Sequence, residues 1–213
     1  MPKQKSKDTK RKSTRTIAQT ADRYKLYLKA VQAPEHEVDF FNRVYKREYG
    51  SRPTLLREDF CGTYAVCCEW AKSRKDCKAI GVDLDPEPLA WGEAHNFAKL
   101  KDKQKKRVTI NQADVREVSG AKADVLAAEN FSFWIFKTRP ALLEYFKAAH
   151  ANLKSKGVMV LDMMGGPECL EEGREDITEY KKFDYVWDQA RFDPITHDAL
   201  FHIHFRFKDG SEM

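Results

Sequence analysis

The feature that most narrows the fold of this chain is an alternation. Short β-type apolar runs near residues 54–59, 78–83, 107–112 and 123–128 are interleaved with helical segments near 63–74 and 86–100. A helix opening at Thr138-Arg139-Pro140 and reaching about Ser155 then leads through Gly157 into a buried strand, Gly157-Val158-Met159-Val160-Leu161-Asp162. Strands separated by crossover helices pair in parallel, and right-handed crossovers wind them into one doubly wound sheet. Asp85-Pro86 marks a helix start in the same way as Thr138, an N-cap residue with proline in the first turn.

The first unit of this alternation carries a loop with its own chemistry. Thr54-Leu55-Leu56 runs into Arg57-Glu58-Asp59-Phe60-Cys61-Gly62-Thr63, and the next strand, Lys78-Ala79-Ile80-Gly81-Val82, closes on Asp83, twenty-one residues after Gly62. A strand, a tight glycine turn, a helix and an acid ending the following strand is how a βαβ unit places a ribose. Gly62 lets backbone approach a ligand, the helix after Thr63 offers free N–H groups, and Asp83, followed by Leu84, can accept from paired hydroxyls. Only one glycine stands in the loop. Phe60 and Tyr64 take the positions where such loops carry two more. After the third strand, Asn111-Gln112-Ala113-Asp114-Val115-Arg116 puts an acid where it can accept from an adenine amino group, with Val115 covering the ring. Open α/β sheets bind ligands at that edge.

Across roughly residues 54–165 the chain resembles the class I S-adenosylmethionine-dependent methyltransferases. The family's glycine-rich motif corresponds to Glu58-Asp59-Phe60-Cys61-Gly62-Thr63-Tyr64, its ribose acid to Asp83 in Gly81-Val82-Asp83, and its adenine acid to Asp114 in Gln112-Ala113-Asp114-Val115. The resemblance implies a Rossmann-like fold, S-adenosyl-L-methionine as cofactor and an acceptor that is a small molecule. It also implies that Glu58 orients the loop and the cofactor amino group, that Gly62 packs on the methionine portion, and that Arg57, Phe60, Cys61, Thr63, Leu84, Val115 and Tyr27 line the cofactor site. The cationic methionine end suits a loop flanked by Glu58 and Asp59. The string Leu56-Arg57-Glu58-Asp59-Phe60-Cys61-Gly62-Thr63 is similar to an uncharacterised subgroup of methyltransferase-domain proteins, in which the fourth strand is followed by a stretch like Glu129-Asn130-Phe131-Ser132-Phe133.

Methyl transfer from a sulfonium needs an aligned nucleophile and, for protonated acceptors, a base, so Glu129 and Asn130 are the catalytic candidates. Asn130 equally suits a plain turn cap, and it lacks the Pro-Pro-aromatic continuation of amino-methylating DNA enzymes. Arg57, a cation inside a buried strand, demands a carboxylate: that of the cofactor, or a structural acid such as Asp162. Tyr24 and Tyr27 read either as a packing stripe or as a lid over the cofactor. His202 and His204 alternate on one strand face, as in two-ligand metal sites, but no third ligand stands at useful spacing, so no metal is expected and the face reads as polar or substrate-facing. Cys61 has no base placed beside it by sequence and reads as a small loop residue.

Two rival functions remain on the sequence. An NAD-dependent oxidoreductase wants GxGxxG after the first strand, and Phe60 and Tyr64 are wrong for a pyrophosphate. An RNA-binding or RNA-modifying protein would use the basic N-terminus, where seven of the chain's 38 cations stand in the first 15 residues against the single acid Asp8. Residues 1–16 are expected as a disordered basic tail, either solvated or an electrostatic arm for RNA, membrane surface or receptor; 17–53 as a helical cap containing helices near 21–33 and 35–49; and 54–213 as the methyltransferase domain. No apolar run approaches the roughly 20 residues of a membrane span, and five cysteines without CxxC spacing fit reduced thiols, so a cytoplasmic protein without a membrane partner is expected. Phe183–Arg191 and Ala199–Lys208 read as an antiparallel strand pair joined through Asp193-Pro194-Ile195-Thr196, with Phe201, Ile203, Phe205 and Phe207 on one face. The turn signal Asp209-Gly210 follows, and with no partner strand after it the 213 residues are expected to be a C-terminally truncated product.

Overall fold

In the computed structural model, which describes residues 15–213, three helices precede the first strand. The tail expected over 1–16 falls almost wholly outside the described residues. A short α1 (Ile17–Thr20), which the sequence reading did not contain, is closed by a capping box in which Thr16 Oγ1 accepts from the Gln19 N–H and Gln19 Oε1 from the Thr16 N–H. The helices expected near 21–33 and 35–49 are α2 (Arg23–Ala30) and α3 (Pro34–Tyr49). Pro34 begins α3 at its first turn, where its missing N–H has no partner to lose. Val38, Phe41 and Tyr45, spaced three and four apart, are the buried face of α3, and Gly50 at φ +70° ends it.

The central sheet follows the expected alternation: β1 (Leu55–Asp59), α4 (Ala65–Ser73), β2 (Lys78–Asp83), α5 (Pro86–His95), α6 (Asp102–Lys105), β3 (Val108–Gln112), β4 (Ala123–Ala128), α7 (Arg139–Ala151) and β5 (Leu153–Leu161). Its strands pair in parallel in the order β3-β2-β1-β4-β5. The order reverses between β1 and β4, so a crevice opens at their carboxyl ends. β4 is buried along its whole length, and Leu56, Ala79, Val82 and the α4 residues Cys67, Cys68, Trp70 and Ala71 pack the interior beside it. Two boundaries differ from expectation. The helix expected to reach residue 100 stops at His95 and continues as a 3-10 turn, Phe97–Lys99, and the one expected to reach Ser155 ends at Ala151, with β5 already running from Leu153 through a register shift against β4.

The antiparallel pair is present as β7 (Phe183–Phe192) and β8 (Ala199–Phe207), but it belongs to a three-stranded sheet of order β6-β7-β8, where β6 is Arg174–Glu179. β6 escaped notice because its residues, Arg-Glu-Asp-Ile-Thr-Glu, are nearly all polar and lie exposed along an edge. Past Asp209-Gly210 the chain doubles back onto β8, with Phe205 and Met213 exchanging backbone hydrogen bonds of 2.9 and 3.1 Å. The described residues divide into two compact units, one made of those up to Leu26 with Gly166–Met213, the other of Tyr27–Gly165. Among the described residues no helix is long and apolar enough to cross a membrane. The five cysteines are free thiols.

Candidate functional site

The loop between β1 and α4 keeps the backbone path of a glycine-rich turn without most of its glycines. Phe60, Gly62 and Tyr64 all lie in the left-handed region, at φ +58°, +50° and +42°. Alternate left-handed residues cost little for glycine and about 1–3 kcal/mol each for a side-chain-bearing residue. The surroundings hold them there. The Phe60 ring packs against Phe136 and Tyr145, with centroids 6.1 and 5.7 Å away, while the buried Tyr64 donates its hydroxyl to Glu93 Oε2 at 3.0 Å. Burial and Glu93 push the Tyr64 phenol above its ordinary range, so it stays a donor. The backbone is pinned as well: Cys61 N–H donates to Val82 O, Tyr64 N–H to Cys61 O, and Asn96 Nδ2 to Thr63 O. α5 approaches so closely that a Cβ on Gly92 would sit 2.5 Å from Thr63 O.

Asp83 is wired directly to this loop. Its Oδ2 accepts from the Gly62 N–H at 2.6 Å and its Oδ1 from the Asp85 N–H at 2.9 Å, which orients the carboxylate and leaves each oxygen a second lone pair. Beside Gly62 the space is open, since a Cβ built there meets nothing within 4 Å, and Leu84 next to Asp83 is 66% exposed. Thr63 Oγ1 is buried and has no hydrogen-bond partner among the described residues. The sequence-expected residues Phe60, Cys61, Gly62, Thr63, Asp83 and Leu84 therefore gather at one strand edge.

Asp114 lies after β3, gripped by Arg116, whose Nε and Nη2 reach its two oxygens at 3.0 and 2.7 Å; Arg116 holds its carboxyl below the ordinary range. The Arg116 guanidinium sits 5.0 Å from the Phe136 centroid, which ties Asp114 to the Phe60 side of the loop. Val115 is a core residue, packed with Val82 and Leu126, rather than an open platform for a ring. Tyr27 is half-buried on α2.

Arg57 has a structural role. It is 2% exposed, its Nε donates to Asp59 Oδ1 at 2.7 Å, and its Nη1 and Nη2 donate to the carbonyls of Val118 and Val115 at 2.8 Å each. The paired acid is Asp59 rather than Asp162, because residues two apart on a strand share a face. Asp59 is thereby committed to Arg57 and to the Tyr145 hydroxyl, so Glu58 and not Asp59 supplies the loop's available acid.

Glu58 is buried, and its Oε2 accepts from the Cys67 N–H at 3.0 Å. Burial first, and the nearby Glu37 and Asp83 next, push its carboxyl up to about 8. Glu129, at the end of β4, is likewise pushed up to about 8, by burial and then by Glu37, Glu58 and Asp162. Glu37, on α3, is one of the acids that raise Glu129, and its buried Oε2 has no hydrogen-bond partner among the described residues. Like charges in one buried site disfavour each other's ionisation, which keeps the Glu129 carboxyl well above the ordinary carboxylate range. Asn130 follows at φ +56° and so does Phe131, and their N–H groups donate to Asp162 Oδ2 and Oδ1 at 2.8 and 2.9 Å. Consecutive left-handed residues without glycine are a strained turn held by one carboxylate. Asn130 is thus a turn residue with an exposed side chain, and the acid beside it is the more reactive group. Glu37 was missed in the sequence; its only signal was an acid in the first turn of a helix leading into the fold. Cys61 is buried, and burial with Glu58 and Asp83 raises its thiol far from a reactive thiolate.

Solved structures similar to this chain include methyltransferases. The sugar N-methyltransferase KedS8 from a Streptoalloteichus species superposes with a TM-score of 0.63 at 20% identity, over 89% of this chain and 74% of that one. A S-adenosylmethionine-dependent methyltransferase from Clostridium acetobutylicum gives 0.66 at 18% identity, over 89% and 76%, and S-adenosylmethionine-bound CalS10, an amino pentose methyltransferase from Micromonospora echinaspora, gives 0.67 at 17%, over 91% and 79%. No protein-family model and no curated protein matches the sequence. The chain has the Rossmann-like fold of the class I S-adenosylmethionine-dependent methyltransferases.

Proposed function

We propose that the protein transfers a methyl group from S-adenosyl-L-methionine to a small-molecule acceptor. The observation that carries this reading is the loop after β1, whose three left-handed residues and Asp83-bound Gly62 N–H build the cradle of a glycine-rich turn at the switch point of the sheet. KedS8 is a sugar N-methyltransferase and CalS10 an amino pentose methyltransferase, which favours a small polar acceptor. No observation favours a nicotinamide cofactor, and the one feature that suggested RNA, the basic N-terminus, lies outside the described residues.

The residues fit the cofactor's chemistry. Asp83 has lone pairs left for two ribose hydroxyls, the open space at Gly62 admits a ligand against backbone, exposed Leu84 offers an apolar surface to a ring, and Asp114 remains an acceptor beside it. Glu58, with Glu37 and Glu129 near it, gives a cationic methionine end an acidic, low-dielectric site. Once bound, the cofactor supplies a methyl activated by its sulfonium. Glu129 accepts the proton that a hydroxyl or ammonium acceptor must lose, and an affinity for protons near pH 8 suits that task. Phe60 walls the loop and Asn130 presents a polar side chain at the same edge.

Calorimetry with S-adenosylhomocysteine tests the reading. The parent protein should bind it and should give no heat with NAD. Asp83→Ala, still folded by circular dichroism, should bind about 100-fold more weakly, as expected when hydrogen bonds to a charged acceptor are lost. Heat from NAD alone, or undiminished affinity in Asp83→Ala, would overturn it.

A further inference from the structure

The unit containing the antiparallel sheet brings together a second set of chemical groups. His202 and His204 alternate along β8 and so share a face. Asp188 on β7 is the direct cross-strand partner of His202, and one of its oxygens, Oδ2, faces both imidazoles, 3.3 Å from His202 Nδ1 and 3.4 Å from His204 Nε2. All three donor atoms lie within 4.8 Å of one another. The third donor invisible in the sequence is thus supplied by strand register.

These separations are informative. A charge-assisted hydrogen bond between imidazole and carboxylate would close to about 2.7–2.9 Å. In contrast, two ligands of a tetrahedral ion with arms of about 2.0–2.1 Å stand about 3.3–3.4 Å apart, the edge of the tetrahedron. The two contacts to Asp188 match that edge, and the two imidazole donor atoms lie within 4.8 Å of each other. His204 is also oriented from behind: its other nitrogen, Nδ1, lies 3.0 Å from Glu212 Oε1. A carboxylate on the far nitrogen of a ligating histidine selects the tautomer that turns the near nitrogen to the metal. Glu212 is itself held by Arg206 Nε at 2.7 Å, and Arg206 spends its other nitrogens on Glu175, so this cation is compensated. The side chains of Asp188, His204 and His202 are 17%, 25% and 48% exposed, which leaves the outer side of the set open to water or a ligand atom.

We propose that Asp188, His202 and His204 form a binding site for a divalent transition-metal ion, with Glu212 as the positioning residue for His204. Two imidazoles and one carboxylate suit Zn2+ and ions of similar preference over Ca2+ or Mg2+, which take oxygen. The site is independent of the cofactor reading, since none of its residues belongs to the loop, to Asp83 or to the acidic group at Glu129.

Full-length protein, stripped with chelator, is titrated with Co2+ and followed by its visible absorption, then with Zn2+ by calorimetry. One ion per chain should bind, and Co2+ should show the intense bands of a four-coordinate site. His204→Ala and Asp188→Ala should each lose that spectrum. Glu212→Gln, which keeps all three ligands and so decides the matter even if a ligand variant fails to fold, should bind about 10-fold or more weakly with the same spectrum. Absence of stoichiometric binding in the parent, or unchanged Co2+ affinity in Glu212→Gln and in a folded His204→Ala, would overturn the site.

Discussion

Arg57 and Arg206 each answer carboxylates within a β-sheet, one inside the parallel sheet and one on the antiparallel sheet, and the two regions treat charge in opposite ways. Arg57 is sealed from water with Asp59 and two backbone carbonyls, whereas Arg206 is over one-third exposed and reaches Glu175 at 2.6 Å and Glu212 at 2.7 Å. In the antiparallel sheet every such pair could be hydrated instead. In the parallel sheet the charges have no alternative partner, and burial even outweighs Arg57 in setting Asp59, whose carboxyl is raised rather than lowered. The same scarcity of solvent, without any arginine, acts on Glu58 and Glu129. Where burial is matched by a cation the sheet gains a structural clamp; where it is not, it holds acids that take up protons near neutral pH.

The largest effect expected from this contrast is on Glu129. If it is the proton acceptor, kcat/KM of the parent rises as pH passes through about 8, the value to which burial and its acidic neighbours push it, and Glu129→Gln lowers the rate by about 10²–10⁴ and removes that limb. Stability should move the other way. A carboxyl raised from 4.5 to about 8 on folding contributes stability that is full below about pH 4.5 and lost as pH rises through about 8, because the folded state then holds a buried anion. Glu129→Gln should therefore melt higher than the parent above pH 8, with the gap closing below about pH 5. A variant that keeps the pH limb, or that melts lower than the parent at pH 9, breaks the comparison.

Next comes Arg57→Ala. Leaving Asp59 buried without its cation costs about 3–5 kcal/mol, which for a chain of this size is a fall of roughly 6–20 °C in thermal midpoint. Pairing the change with Asp59→Leu should recover much of the loss, because the stranded charge and not the missing guanidinium is the main penalty. A single variant no worse than a surface substitution would show that Asp59 already carries a proton in the parent.

How much of this was legible in the sequence follows from the range of each interaction. The alternation of strands and helices is local periodicity, and it located β1 to β5 and the loop at Gly62. The Arg57–Asp59 pair was also legible in principle, since residues two apart on a strand share a face. Positions 60 and 64 marked where left-handed backbone was needed, but only the packing of Phe60 on Phe136 and Tyr145 and the Tyr64–Glu93 hydrogen bond explain how non-glycine residues are held in it. Contacts between distant elements were out of reach: Glu37 arrives at Glu129 from a helix ninety-two positions earlier, and Asp188 meets His202 only through a register that shifts between Gln189 and Arg191. β6 carried too few apolar residues to be seen, and its edge position explains why it needs none.

The smallest expected effect closes the contrast at its exposed end. Arg206→Ala removes three short hydrogen bonds, all to carboxylates, and Arg57 makes three of which one goes to a carboxylate, so a tally weighted by charge would rank Arg206→Ala the more damaging change. Solvent argues otherwise. Glu175 and Glu212 lie at the surface with side chains 37% and 43% exposed, and once released they are rehydrated and screened by salt. Arg206→Ala should leave the thermal midpoint close to that of the parent, and the small difference should shrink further in high salt. If Arg206→Ala instead unfolds the chain as readily as Arg57→Ala, then hydrogen-bond number rather than burial sets the value of an arginine in these two sheets, and the distinction between them fails.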